Sequence, residues 1–529
     1  MRRLVVFALL SAALVVRGPV LLPAWGDTLR VGVSALPTEL DPATALEGPV
    51  PLIARQVFDT LVQYTETSDV EPALATQWSV SKDALVWTFR LRPGVRFHDG
   101  TPLSAQQVVE SLQREIFPGH PQAPAGDPIV GRLLRGAPGV IREVRVRDPL
   151  TVEIVLSQPY ASLLTVLAHP VCSIVLQAPA GGSNRWQGTG PFAIAEIAAG
   201  RVALEASAGY WGRRPRLTRI EFLEVADEAR ADAGLAGQIL DVVFPASAPS
   251  RLSGAVSIPG WRVGYIALET EKEPFRRVKA RQAVAAALDP TLIAGALGSA
   301  AAPLQAFLPR GVWARREAPP LMGADPERAR RLLAEAGSGT SPATLLVADT
   351  GGRLDPLRLA EAIRGSLGAA GLSVTVKAAP PDVALASMQA GDSQLSLAEA
   401  RVEAGDPHFL LYPLSASEGA TKGAAAVNFS FYRNQRLDDL LIRASQLSFR
   451  PERERLYVRA QAMLAEELPW IPIYARLLWA VARPEVKGLR LHPSGCHRLD
   501  RVWLESAAPT APSAQPTPSP IVPPPPTPR

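Results

Sequence analysis

Cysteine is almost missing from this chain. Two occur in 529 residues, Cys172 and Cys496, which excludes a zinc ribbon, a thiolate-bound iron–sulfur cluster and a disulfide-dense scaffold. Lysine is scarce too, with six among 55 basic residues, an arginine bias that points to gene composition rather than phosphate binding. Charge of one sign hardly accumulates, since 55 bases against 50 acids give a formal +5. Three of the surplus cations, Arg2, Arg3 and Arg17, lie in the first 26 residues, where there is no acid. The remainder is near balance and lacks the electrostatic footprint of a nucleic-acid binder. No segment has the roughly 20 consecutive apolar residues that a membrane span needs.

Local signatures of catalysis are also missing. The sequence contains no HExxH, GxSxG or P-loop. Gly337-Ser338-Gly339 comes nearest to a dinucleotide loop, but it follows a helical pattern and has no third glycine, so it reads as a helix end. His492 and His497 flank Cys496 in the run HPSGCH. Ligand pairs normally lie at i,i+4 on a helix or in CxxC-type clusters, so this run reads as a surface turn without a metal. Carboxylates have no neighbouring nucleophile, base or metal cluster that would specify a reaction. Nothing calls for an enzyme, a metal or a cofactor.

What is present is a globular balance, 47% hydrophobic and 20% charged, at a length that suggests two or three domains. Both ends differ from the rest. Met1-Arg2-Arg3, an apolar Leu4–Val16 and the small residues of Ala24-Trp25-Gly26 form the layout of a secretory signal peptide cut before Asp27. No cysteine near the cut offers a lipid attachment point. From residue 507 the chain becomes AAPTAPSAQPTPSPIVPPPPTPR, a solvated, proline-extended tail that cannot bury a core. An exported chain permits a Cys172–Cys496 disulfide, and the sequence leaves that pairing open.

Between the ends, strands and helices mix, which implies an α/β or α+β architecture. Leu29–Val33 reads as a strand, and Val86–Leu91 alternates so that Trp87, Phe89 and Leu91 share a face. Val144-Arg145-Val146 and Thr151–Leu156 flank an Asp148-Pro149 turn as a hairpin. Helices are expected from Pro274 through Leu288, between the Asp325-Pro326 start and Gly337, over Leu437–Ala444, and over Leu456–Leu468. Ser104 is placed to cap a helix containing Val108, Val109 and Leu112.

The stretch Ala75–Val109 contains Trp78, Ser81 and Asp83, then Thr88–Arg92, then Phe97–Leu103. This order closely resembles the diagnostic segment of the bacterial extracellular solute-binding proteins, family 5, which serve peptide, dipeptide and nickel ABC importers. Gly188-Thr189-Gly190-Pro191-Phe192, Tyr210-Trp211-Gly212 with Pro215, Phe275–Leu288, and Asn428–Pro472 resemble further blocks of the family in the same order. Read from the residues alone, these motifs are core faces, turns and caps.

The resemblance implies a two-lobed periplasmic binding protein, α/β and of type II, cluster C-like, with a hinged cleft. Residues 27–48, 187–262 and 484–506 are then domain I, 49–186 domain II, and 263–483 domain III, the second lobe. The implied function is to capture a small peptide or other polar solute by closure and to deliver it, as a monomer, to an inner-membrane ABC permease. The family's amine-binding acid lies in a pattern similar to Trp-x-x-Asp-Tyr-x-Asp-Pro. Asp406-Pro407 matches its end, which places Glu403 at the acid and Ala400 at the tryptophan. Asp406 is the neighbouring candidate, fitted also to capping the helix-like HFLLY run. Thr38 and Glu39, after the first strand, are further cleft candidates by analogy. Alternatives are a sensor or chaperone on the same fold, or an exported enzyme without local motifs.

Overall fold

The computed structural model describes residues 28–44, 48–117, 119–124, 140–178, 184–245, 254–337, 342–350 and 354–505. The leader through Gly26 and the tail from residue 507 lie outside these residues, as do Ser338 and Gly339. Among the described residues no helix is long and apolar enough to cross a membrane.

The expected mixture of strands and helices resolves into one long sheet, a smaller sheet and the helices packed on them. The long sheet runs Phe192–Ala198, Arg201–Ala206, Arg219–Glu224, Thr28–Val33, Val242–Phe244, Trp470–Ala482, Ala255–Leu268, Leu395–Arg401, Ala343–Ala348, Val374–Ala379. Its first five strands belong to one lobe and its last three to the other. Only Ala255–Leu268 and Trp470–Ala482 serve both. Trp470–Ala482 pairs with Val242 and Val243 at its C-terminal end and with the short strand Ala301–Pro303 nearer its start. The lobes therefore share one sheet through two long antiparallel strands. Their cores differ accordingly. Leu29, Val31, Phe58, Phe192, Phe222 and Leu499 pack in the first lobe, and Tyr265, Phe275, Leu359, Tyr457 and Trp470 in the second.

The smaller sheet has the order Ala75–Val80, Val86–Leu91, Thr151–Leu156, Ile141–Asp148, so the predicted hairpin is present. Trp87, Phe89 and Leu91 face its core at 4%, 0% and 1% exposure. The Ser81 hydroxyl bonds Asp83 Oδ1 at 2.5 Å and accepts the Val86 N–H at 2.9 Å, while Asp83 accepts the Leu85 N–H at 3.1 Å. The Trp-x-x-Ser-x-Asp element is thus a hairpin lock. Ser104 caps the helix Ala105–Ile116, whose Gln107 side chain accepts the Ser104 N–H at 3.0 Å.

Three more motifs meet in one knot between this sheet and the first lobe. Asp59, 2% exposed, accepts from Thr189 Oγ1 at 3.2 Å and from Trp211 Nε1 at 2.8 Å. The Gly188 carbonyl oxygen accepts the His98 N–H at 3.0 Å. A Cβ on Gly188 would lie 2.0 Å from the Val57 carbonyl oxygen, and one on Gly190 2.6 Å from it. These glycines are required by close backbone approach rather than by a turn.

Two predicted helices begin elsewhere. The helix expected from Pro274 starts at Val278, because Lys272–Arg277 forms a turn with Arg276 N–H on Lys272 O and Arg277 N–H on Pro274 O. The last helix spans Arg450–Glu467, with Pro451 in its first turn, and so begins six residues before the expected Leu456. The helix Pro326–Ala336 matches expectation, with Asp325 accepting the Arg328 N–H and Gly337 left-handed.

The second lobe is tied internally, and to Ser162 at the start of the helix Leu163–Leu167, by a buried ion pair. Arg453 Nη2 lies 2.9 and 3.2 Å from the two oxygens of Asp406, which is 0% exposed, and 3.0 Å from Ser162 Oγ. Its Nε donates to Ala444 O, and its guanidinium lies over Trp313. Breaking one side of such a pair leaves an uncompensated buried charge. Asp406→Asn is expected to cost about 3–5 kcal/mol, read as a lowered denaturation midpoint. An unchanged midpoint would show that the pair contributes nothing.

Glu115 poses the opposite case. It is 1% exposed, and neither carboxyl oxygen has a hydrogen-bond partner among the described residues. Its neighbour Arg114 is already engaged with Asp41. Burial pushes the Glu115 carboxyl well above its ordinary 4.5, so the folded chain holds it protonated where the unfolded chain releases the proton. The stability is therefore complete below the ordinary value and falls as pH rises toward the folded value, by about 1.4 kcal/mol per pH unit. Glu115→Gln should remove that slope, so its stability relative to wild type should improve from pH 4 to pH 7. Parallel pH curves for the two proteins would show that Glu115 ionises in place.

Candidate functional site

The strand ladder between the two shared strands is interrupted at two places, and the wider break lies between Pro259 and Val263. Pro259 faces Leu477 and Val263 faces Ala475. Gly260, Trp261 and Arg262 therefore stand opposite the single residue Arg476. Such bulges twist a strand and re-aim its side chains. All four residues line a cavity of about 290 Å³ between the lobes. On the other side, Arg262 pairs in register with Arg401 on Leu395–Arg401, and Arg401 lines the same cavity. Ser34, Phe244 and His497 contribute from the first lobe.

Acids stand behind these arginines. Glu399 accepts from Arg476 Nε at 2.5 Å and from Tyr474 OH at 2.7 Å, and lies 3.5 Å from Arg262 Nη1. Glu403 lies 3.9 Å from Arg401 Nε. Burial next to Glu399 drives the Tyr474 hydroxyl well up from its ordinary value, so it stays a neutral donor. Trp261, 3% exposed, packs on Gly405, where a Cβ would meet its ring at 2.5 Å. The glycine is left-handed at φ +64°, so both space and backbone require it.

The HPSGCH run was expected as a surface turn. It is instead a packed wall, with Cys496 and His497 at 6% and 4% exposure. Pro493, Ser494, Gly495 and His497 face the cleft, while His492 and Cys496 face a second cavity of about 310 Å³. The wall is held by Trp261 N–H on Pro493 O and by His492 N–H on His497 Nδ1 at 2.9 Å. His492 meets Trp261 edge-on and stacks on Tyr64. Burial lowers His497 to about 3 and His492 to about 4, so both are neutral rings at physiological pH. No group of three metal-ligating side chains occurs among the described residues. Cys172 and Cys496 are both buried free thiols, so the disulfide left open by the sequence is not formed. Cys172 is packed in a 3-10 turn beside the Glu115 helix, and the Cys496 Sγ hydrogen-bonds Ser494 O within its own loop.

The residues expected at the site divide. Glu403 sits on a 3-10 turn behind Trp261, with its carboxylate toward Arg401, and is not on the cavity wall. Asp406 is closed off in the Arg453 pair and also accepts the His408 N–H at 3.0 Å. Both of its oxygens are thus taken up within the fold. Thr38 and Glu39 lie exposed in the loop after the first strand and do not line the cleft. Arg262, Arg401, Arg476 and Trp261 escaped sequence reasoning, because strand register alone brings residues so far apart in the chain together. The one local clue was Arg401 itself, between the positions of the family's tryptophan and acid.

The model of the bacterial extracellular solute-binding proteins, family 5, matches residues 69–422. The chain is 30% identical to heme-binding protein A of Haemophilus influenzae, over 87% of this chain and 89% of that one. It is 27% identical to the dipeptide-binding protein of Escherichia coli, over 85% and 89% of the two chains. HbpA2 from Haemophilus parasuis superposes with a TM-score of 0.82 at 25% identity, covering 90% of this chain and all of that one. With two lobes, a shared sheet and the family's motifs in their structural places, this chain belongs to the bacterial extracellular solute-binding proteins of family 5.

Proposed function

We propose that the chain is the exported solute-binding component of a peptide-type ABC importer. It captures a small peptide or similar polar solute between its lobes and presents the closed form to a membrane permease. The observation that carries this reading is the 290 Å³ cavity, because it is walled by both lobes at the strands that join them. A cavity of that size suits a small ligand. Bending at the bulge brings Phe244 and His497 of one lobe toward Arg401 and Arg476 of the other. Closure then draws its driving force from contacts that exist only when both walls touch the solute. Relatives named for dipeptide and heme binding support a carrier of small solutes. The same reading makes the protein a monomer that binds without turnover, released from its leader after Gly26.

Native mass spectrometry of protein purified from an exporting host should show a chain beginning at Asp27 that carries one small molecule, released on denaturation. Small-angle scattering should show a smaller radius of gyration with that molecule than without it. A ligand that binds with no compaction would overturn closure. A bound molecule that is chemically converted on incubation would favour the exported-enzyme alternative.

A further inference from the structure

The cleft wall has a chemical sign. Among the described residues, every charged side chain lining it is an arginine: Arg262, Arg401 and Arg476, at 39%, 22% and 39% exposure. The acids that accompany them, Glu399 and Glu403, sit behind the wall and hold the guanidinium groups from the rear. His497 carries no charge there. Trp261 and Trp479 also line the wall, with their indole N–H groups buried. The wall thus presents forked cationic donors beside an apolar aromatic surface. A carboxylate complements this best, since it accepts up to four hydrogen bonds and matches a guanidinium fork in the plane. An ammonium group, which only donates, would face like charge.

Resting on the solute-binding reading above, we infer that the solute is an anion whose carboxylate docks on Arg262, Arg401 and Arg476, with its apolar part against Trp261 and Trp479. Glu403, at the family's amine-binding position, serves here as a positioning residue for Arg401. The amine anchor of the family is thereby replaced by a carboxylate anchor.

Tryptophan fluorescence of the full mature chain can be titrated with a set of dipeptides and tripeptides, each as the free acid and as the C-terminal amide. The non-peptide acids succinate and citrate are added to the set. The free acids should bind at least about tenfold more tightly than their amides. Arg401→Gln and Arg476→Gln should each erase that preference while leaving the circular dichroism spectrum and melting temperature close to wild type. Glu403→Gln should weaken binding less than Arg401→Gln does. Equal affinity for acid and amide, or preference for N-terminally charged amides, would overturn the anion assignment and leave the peptide reading standing. Binding of succinate or citrate but of no peptide would support the anion assignment and sink the peptide reading. No response to any member of the set would overturn both.

Discussion

Everything in this molecule depends on two strands. Ala255–Leu268 and Trp470–Ala482 are the elements that belong to both lobes, so each must satisfy two cores at once. Trp470 is anchored in the second lobe by its indole N–H on Ser415 Oγ at 3.0 Å and by the edge of Phe307. Val481 and Ala482 complete the ladder of the first. Between these anchors the ladder breaks, and three residues face one. A continuous ladder would make the lobes a single stiff body. The bulge removes pairing where bending is needed and keeps it on either side.

The same break builds the site. Residues in a regular ladder alternate between the faces of the sheet, and half of them are lost to the core. In the bulge, Gly260, Trp261, Arg262 and the facing Arg476 all reach the cleft. Glu399, anchored by Tyr474, then fixes Arg476 and faces Arg262 from behind. A guanidinium held in place by a rear acid has less side-chain freedom to lose when a solute arrives, so more of the contact energy appears as affinity. The proposed hinge and the proposed recognition surface are therefore one feature of the backbone.

Much of the fold was legible in the sequence, because its signals are local. Alternation gave the strand with Trp87, Phe89 and Leu91, and capping chemistry gave the helices after Ser104 and Asp325. The family motifs were legible for a further reason: each does a bounded structural task. Ser81 and Asp83 lock a hairpin, while Asp59, Gly188, Thr189, Gly190 and Trp211 make one knot. The cleft was not legible. Its arginines sit at 262, 401 and 476, joined only by register across three strands, and no spacing rule connects them. Asp406 was readable both ways, because a carboxylate beside a proline looks the same whether it faces a ligand or Arg453. HPSGCH misled because polar composition suggests exposure, whereas this loop satisfies its polar atoms internally and so can be buried.

These two kinds of residue evolve under different constraints. A glycine whose added Cβ would lie 2.0 Å from a carbonyl oxygen, or a buried aspartate shared by two donors, cannot be exchanged without damage to the fold. An arginine on the cleft wall can be exchanged at a cost borne only by the solute. Similarity across a family therefore reports the knots and locks and is silent about the ligand. The short run from Ala400 to Glu403 shows both kinds side by side: Arg401 stands on the cleft wall, while Glu403 lies behind it as its partner and Asp406 beyond is closed into the Arg453 pair.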